Sequence, residues 1–347
     1  MATLGQIKGM LLEEVLLYLL RASGYSVVEK ADKNDSTIKQ GKAGLELLGR
    51  GGVHQIDAIA DLAISPPFSN PQRLLLEAKC LNKSVGIPVV RNAVGVLKDV
   101  GEYWVSRNGN PARARYHYQY ALFSAEGYTE PAQRYAYAQD VYLIPLEKSE
   151  FIQPVLKEIK ALTKDSFRAE SDRKISIDLG QFRMFVRESL RSENRIALHE
   201  FSSDEMTGRL QESLLSILRT TQHIDNAMVA MISKQFPVFL VPDSGTSIQD
   251  LIRNSSHSIR IFRRENSWYI KPVDDRARFR FSFDLPTKLL EMYAEDGLLS
   301  QERAVNLKSE HLSKMEALFV VEGESHLVHF KLDRNWLNSL GIERRED

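Results

Sequence analysis

The chain has 347 residues, 43% hydrophobic and 27% charged, which is enough for two soluble domains that each bury a core. Lys plus Arg and Asp plus Glu balance at 46 each, so no global basic charge announces a nucleic-acid partner, and any such contact must come from local surface. No apolar run approaches the roughly 18 residues of a membrane span. The N-terminus lacks a signal peptide's pattern, and the single cysteine, Cys80, excludes an internal disulfide. A cytoplasmic protein with no membrane partner is expected.

Taken in order, residues 5–23 predict a helix with a broad apolar face (Met10, Leu11, Val15, Leu19) stopped by Gly24, with Glu14 on its solvated side. A short strand at Tyr25–Glu29 and a polar loop at Lys30–Gly44 follow. After a bend at Gly49, Gly51 and Gly52, Asp57 opens an apolar run, Ile56–Ile64, that suits a buried strand. The prolines of residues 65–71 break the ladder. Leu74, Leu75 and Leu76 start a second strand, whose period of two sends Glu77 and Lys79 to one face and Leu76 and Ala78 to the other.

An acid and an amine inside an apolar strand need a reason, because an unpaired buried charge costs several kcal/mol, of order 3–5. Two carboxylates bracketing a divalent cation supply one. Mg²⁺ takes one or two carboxylates plus waters and substrate phosphate, which Asp57 and Glu77 could provide, while Lys79 orients or activates the attacking water. By themselves these three residues read more readily as a structural Glu–Lys pair beside a loop aspartate, because such triplets arise often by chance.

Beyond them, Lys83 lies in a polar loop, and Pro88 opens a helix whose first turn carries Arg91; both are candidate nucleic-acid contacts. Tyr116, Tyr118 and Tyr120 share one face of a strand, and a turn, a helix and a last strand at Val141–Leu146 follow. The helices between strands predict a mixed sheet with helices on both faces, an α/β fold. A boundary in the polar stretch 165–174 divides the chain into domains 1–165 and 166–347. The second is expected to be α+β, with helices near Gln181–Leu190, Glu205–Leu218 and Ile224–Ser233 and a strand at residues 277–283. On that strand Arg276, Arg278 and Arg280 would line one face at about phosphate spacing, making them further candidate contacts.

Four ordered segments resemble the PD-(D/E)xK nuclease superfamily and, within it, the Mrr-like restriction endonucleases: LLEEVLLYLLRASGYSVV, HQIDAIA, LLLEAKC and ALFSAEGYTEPAQRYAYAQDVYLIPL. The likeness spans residues 10–146. Many Mrr relatives have Gln where this chain has Glu77, so the chain departs toward the more usual nuclease ligand. The resemblance implies a restriction-endonuclease-like sheet and Mg²⁺ (with Mn²⁺ as substitute) held by Asp57 and Glu77. Lys79 and Glu13 would complete the catalytic set. DNA would be the substrate in a restriction or antiviral-defence setting, with a homodimer, or a protein partner for the C-terminal domain, as further expectations. Two alternatives stay open: a catalytically silent DNA-binding or assembly subunit, and an RNA-directed nuclease on the same fold.

Overall fold

The computed structural model describes residues 2–41, 44–65, 67–103, 115–147, 149–167, 177–191, 208–224, 227–232, 236–264, 267–294 and 299–342. They form two compact units, one of residues 1–21 and 25–225 and the other of 22–24 and 226–347.

The first unit opens with α1 (Leu4–Ala22), whose Leu11, Leu12, Val15, Leu16 and Leu19 are all fully buried, so apolar side chains surround most of its circumference. β1 (Tyr25–Val28) follows, then three short strands, β2 (Ile38–Gln40), β3 (Leu45–Leu48) and β4 (Val53–Gln55), paired antiparallel. The loop expected at Lys30–Gly44 thus contains one strand of a small sheet, too short to show a period in the sequence. β5 (Ala58–Leu62) and β6 (Gln72–Lys79) are joined through the proline-rich turn.

Next come α2 (Ile87–Gly101), β7 (His117–Ser124), α3 (Glu130–Ala138) and β8 (Val141–Pro145). The sheet runs β1-β5-β6-β7-β8; β1, β5 and β6 pair antiparallel, while β6, β7 and β8 pair parallel across the α2 and α3 crossovers. The expected mixed α/β sheet is therefore present. Ile59, Leu75 and Leu122 on one face pack with Val90, Ala93 and Val96 of α2 and Ala132 and Ala136 of α3.

α4 (Gln153–Ala161), α5 (Leu179–Arg191) and α6 (Gly208–His223) complete this unit. The compact unit therefore ends after Asp225 instead of at residue 165. The cause is amphipathicity: α5 carries a stripe of Phe182, Val186 and Leu190, all buried, and α6 packs on α4 and α5. Residues 168–174 of the expected linker lie outside the described residues.

The second unit contains β9 (Met228–Ile232), β10 (Phe236–Pro242), α7 (Ile248–Ile252), β11 (Ser256–Arg264), β12 (Ser267–Pro272), β13 (Phe281–Phe283), α8 (Thr287–Tyr293), α9 (Gln301–His311), β14 (Lys314–Val321), β15 (Glu324–Leu332) and α10 (Arg334–Ile342). Its strands close into a barrel in the order β10-β13-β12-β11-β15-β14-β9, with β11 and β15 parallel and every other pair antiparallel. The interior is filled by Trp268, Phe281, Phe319 and Phe330 among aliphatic neighbours. Glu322 (φ 52°) and Gly323 (φ 83°) make the two-residue left-handed turn that matches the twist of the β14–β15 hairpin.

Two expectations fail in this half. The segment read as a helix at Ile224–Ser233 contains β9, where Met228, Ala230 and Ile232 enter the core at period two. The strand expected at residues 277–283 is ordered as a strand only at Phe281–Phe283, so Arg276, Arg278 and Arg280 do not form a stripe. The α+β half is a closed barrel with helices.

Candidate active site

The register of β5 on β6 pairs Ala58 with Leu76 and Ile59 with Leu75. Asp57, one residue before β5, has the parity of Ile59, so it shares the face of Leu75, Glu77 and Lys79. Its Oδ2 accepts a hydrogen bond from the Ala78 amide at 3.2 Å. Both Glu77 oxygens have donors: the Lys79 amine lies 2.5 Å from Oε1, and the Tyr120 hydroxyl donates to Oε2 at 2.8 Å. Tyr120 arrives because β7 runs parallel to β6 with Tyr120 opposite Leu75.

Glu13 joins from α1. Its side chain is buried, and Arg183 of α5 donates to it at 2.6 Å. Glu14, expected on the solvated face, is buried too: Arg187 grips it through two hydrogen bonds of 2.7 Å, with Arg183 at 3.4 Å. The solvated side of α1 is in fact where α5 docks.

The electrostatics tie these groups together. Burial, with the Asp57 charge next, pushes the Glu13 carboxyl up to about 7 against the opposing pull of Arg183. Asp57 is likewise raised, by burial first and by Glu77, although Lys79 opposes this. Burial pulls the Lys79 amine down, but Glu77, Asp57 and Glu13 outweigh it and hold the amine above its ordinary value. Burial, then Glu77, raises the Tyr120 hydroxyl, so it remains a donor. Asp57, Glu77, Lys79 and Glu13 thus form one interacting group.

Lys83 is exposed in the loop after β6, and Arg91 is exposed with its guanidinium 5.8 Å from the Tyr135 ring centre. Each guanidinium of the other expected contacts has a carboxylate: Arg276 pairs with Asp274 at 2.9 Å, Arg278 with Asp250 at 3.2 Å and Arg280 with Asp243 at 3.5 Å. Sequence reasoning missed Tyr120, Arg183 and Arg187. The two arginines had a signal, a four-residue spacing beside Phe182, Val186 and Leu190, but their acids are about 170 positions away.

Among the described residues no three His, Cys, Asp or Glu side chains form a group that could hold a metal. A magnesium ion asks less, one or two carboxylates with water and phosphate oxygens. The acids here fit that demand: buried Glu13 and half-buried Asp57 are both raised, the state a nearby cation would relieve, and each bonded Glu77 oxygen keeps a second lone pair.

A different polar cluster occupies the far end of the same strand pair. Arg73 of β6, 1% exposed, makes two bonds to Asp61 of β5, at 2.6 and 2.7 Å, and reaches Asp35 at 2.7 Å and the Thr37 hydroxyl at 2.9 Å. The Tyr116 ring stacks on its guanidinium at 3.7 Å. Burial would raise the Asp35 carboxyl, but hydrogen bonds from Thr37 and the Arg73 charge hold it below its ordinary value.

No family model matches this chain, and no curated protein does. Among solved structures, a crystal structure titled as a protein of unknown function, AF1548, is similar at 17% identity and a TM-score of 0.34, over 62% of this chain and 97% of that one. A likeness so slight carries neither a fold nor an activity across.

Proposed function

We propose that the chain is a Mg²⁺-dependent endonuclease of the Mrr-like, PD-(D/E)xK kind, with a restriction-endonuclease-like sheet in its first unit, cutting DNA phosphodiester bonds in restriction or antiviral defence. The observation that carries this reading is the gathering of Asp57, Glu77 and Lys79 on one sheet face beside Glu13, with the Asp57 and Glu13 carboxyls raised. Asp57 and Glu77 would hold the ion, which when bound polarises the phosphoryl oxygen and lowers the pKa of the attacking water. Lys79 presents an ammonium that orients that water and meets charge building on the phosphate. Tyr120 fixes the Glu77 carboxylate, and Arg183 fixes Glu13 as an auxiliary acid.

Purified protein incubated with plasmid, single-stranded DNA and RNA, in Mg²⁺, Mn²⁺, Ca²⁺ or EDTA, tests this. Cutting of DNA in Mg²⁺ or Mn²⁺, with none in EDTA and binding without turnover in Ca²⁺, is expected. Full activity in EDTA contradicts the metal role, and cutting of RNA alone moves the substrate to the other polymer.

A further inference from the structure

The barrel presents an outward face in which cations alternate with aromatic rings. His257, Ile259 and Ile261 of β11 point into the barrel, so Ser258, Arg260, Phe262 and Arg264 point out. Across the hairpin Arg260 stands opposite Lys271, and Phe262 opposite Tyr269. On the other flank Ser258 stands opposite Lys331 of β15. Phe262 is 39% exposed, although Trp336 of α10 tilts against it at 5.1 Å and the Lys271 amine lies 5.6 Å from its ring centre. The Arg280 guanidinium sits 4.8 Å from the centre of the Tyr269 ring. Asp333 and Asp243 pair with Arg260 and Arg280, but Arg264, Lys271 and Lys331 have no ion pair among the described residues. A hollow of about 340 Å³ adjoins this face, lined by Lys271, Arg278 and Arg280 with Asp243 and Asp275.

From this we propose that the outward face of β11, β12 and β15 binds single-stranded nucleic acid, with unpaired bases stacking on Phe262 and Tyr269 and the backbone running along Arg264, Lys271 and Lys331. Charge complementarity selects a polyanion. The exposed Phe262 ring, with the half-buried Tyr269 beside it, selects one whose bases offer free faces, which a duplex does not. The face belongs to the second unit, and the proposal stands whether or not the Asp57 cluster cuts anything.

The test uses the full chain carrying Asp57→Ala, in EDTA, with labelled oligothymidine, oligouridine and a duplex of equal length, followed by fluorescence anisotropy against salt. Single strands are expected to bind more tightly than the duplex, and the two single-stranded arms show which sugar is preferred. Phe262→Leu keeps an apolar contact for Trp336 and should weaken single-strand binding roughly tenfold. Joint replacement of Arg264, Lys271 and Lys331 by Gln should flatten the log–log salt slope by about 2 units. Those three side chains are exposed, so this variant remains informative if Phe262→Leu unfolds the barrel. Unchanged affinity and slope in the triple variant would overturn the proposal, as would equal duplex binding or no binding to any strand; the last outcome would leave the face to an acidic protein.

Discussion

The two ends of the β5–β6 pair carry acids and a base on the same sheet face, yet they are opposite in kind. At the Arg73 end one guanidinium satisfies Asp35, Asp61 and Thr37, and the Asp35 carboxyl is held low. At the Lys79 end both acids are raised despite the cations beside them, Glu13 by burial and the Asp57 charge and Asp57 by burial and Glu77. Removing the cation from a satisfied cluster strands its acids, whereas a cluster that keeps raised acids costs stability, and such groups are enriched at functional sites. Buried charge by itself says little; the two clusters differ in whether folding stabilises or destabilises the charged form of their acids.

The largest effect expected from this comparison is on folding. Arg73→Ala leaves two carboxylates without their cation and should cost about 3–5 kcal/mol in urea denaturation. Asp57→Ala should change stability by only ~1 kcal/mol, or raise it, because it relieves repulsion. A neutral Arg73→Ala, or a severely destabilised Asp57→Ala, would erase the distinction.

Nearly as large is the effect of cutting the chain. A fragment ending at residue 165 loses Arg183, Arg187 and the apolar stripe of α5, stranding Glu13 and Glu14 on α1. It should be insoluble or unfolded by circular dichroism, whereas residues 1–225 should fold. A stable, well-folded 1–165 fragment would return the boundary to the earlier position.

The barrel offers a milder case for sharpening the comparison. Lys308 of α9 is buried, its amine 5.1 Å from the Trp336 ring centre and 5.9 Å from that of Trp268, and burial lowers it to about 8. A lowered amine contributes stability that is fully present above its unfolded pKa of 10.5 and is lost as pH falls through about 8. The barrel should therefore weaken on going from pH 10.5 to 7.5, where the buried ammonium costs about 1–3 kcal/mol. Lys308→Met should remove that dependence and stabilise the protein at neutral pH, as read by thermal melts; an unchanged pH profile would contradict it. The smallest effect belongs to Arg276, Arg278 and Arg280: since each already has an aspartate, their joint replacement by Gln should alter the nucleic-acid salt slope by much less than the Arg264, Lys271 and Lys331 variant.

What the sequence disclosed follows from range. Glu77 and Lys79 lie on one strand whose period of two is uninterrupted, so their common face was legible, and Asp57 lies within 23 positions of Lys79 at the mouth of the neighbouring strand. Tyr120 was visible only as one of three tyrosines on a strand face, because its bond to Glu77 depends on the β6–β7 register. Arg183 and Arg187 were legible as a helix pair but not as partners of Glu13 and Glu14, since nothing local specifies a docking across 170 positions. The barrel was hidden for the same reason. Its closure rests on β9 pairing with both β10 and β14 and on the parallel contact of β11 with β15, and a five-residue strand such as β9 resembles a helix fragment when only its apolar content is read.

On the proposed function, metal-dependent strand cleavage belongs to the Lys79 end of the strand pair and not to the Arg73 end. The most direct test of this assignment is single-turnover cleavage of plasmid DNA in Mg²⁺ by wild type, Asp57→Ala, Lys79→Ala and Asp61→Asn, each first shown to be folded. Cleavage is expected from wild type and Asp61→Asn, with a loss of at least about 100-fold in Asp57→Ala and Lys79→Ala. Wild-type rates in Asp57→Ala and Lys79→Ala would contradict it.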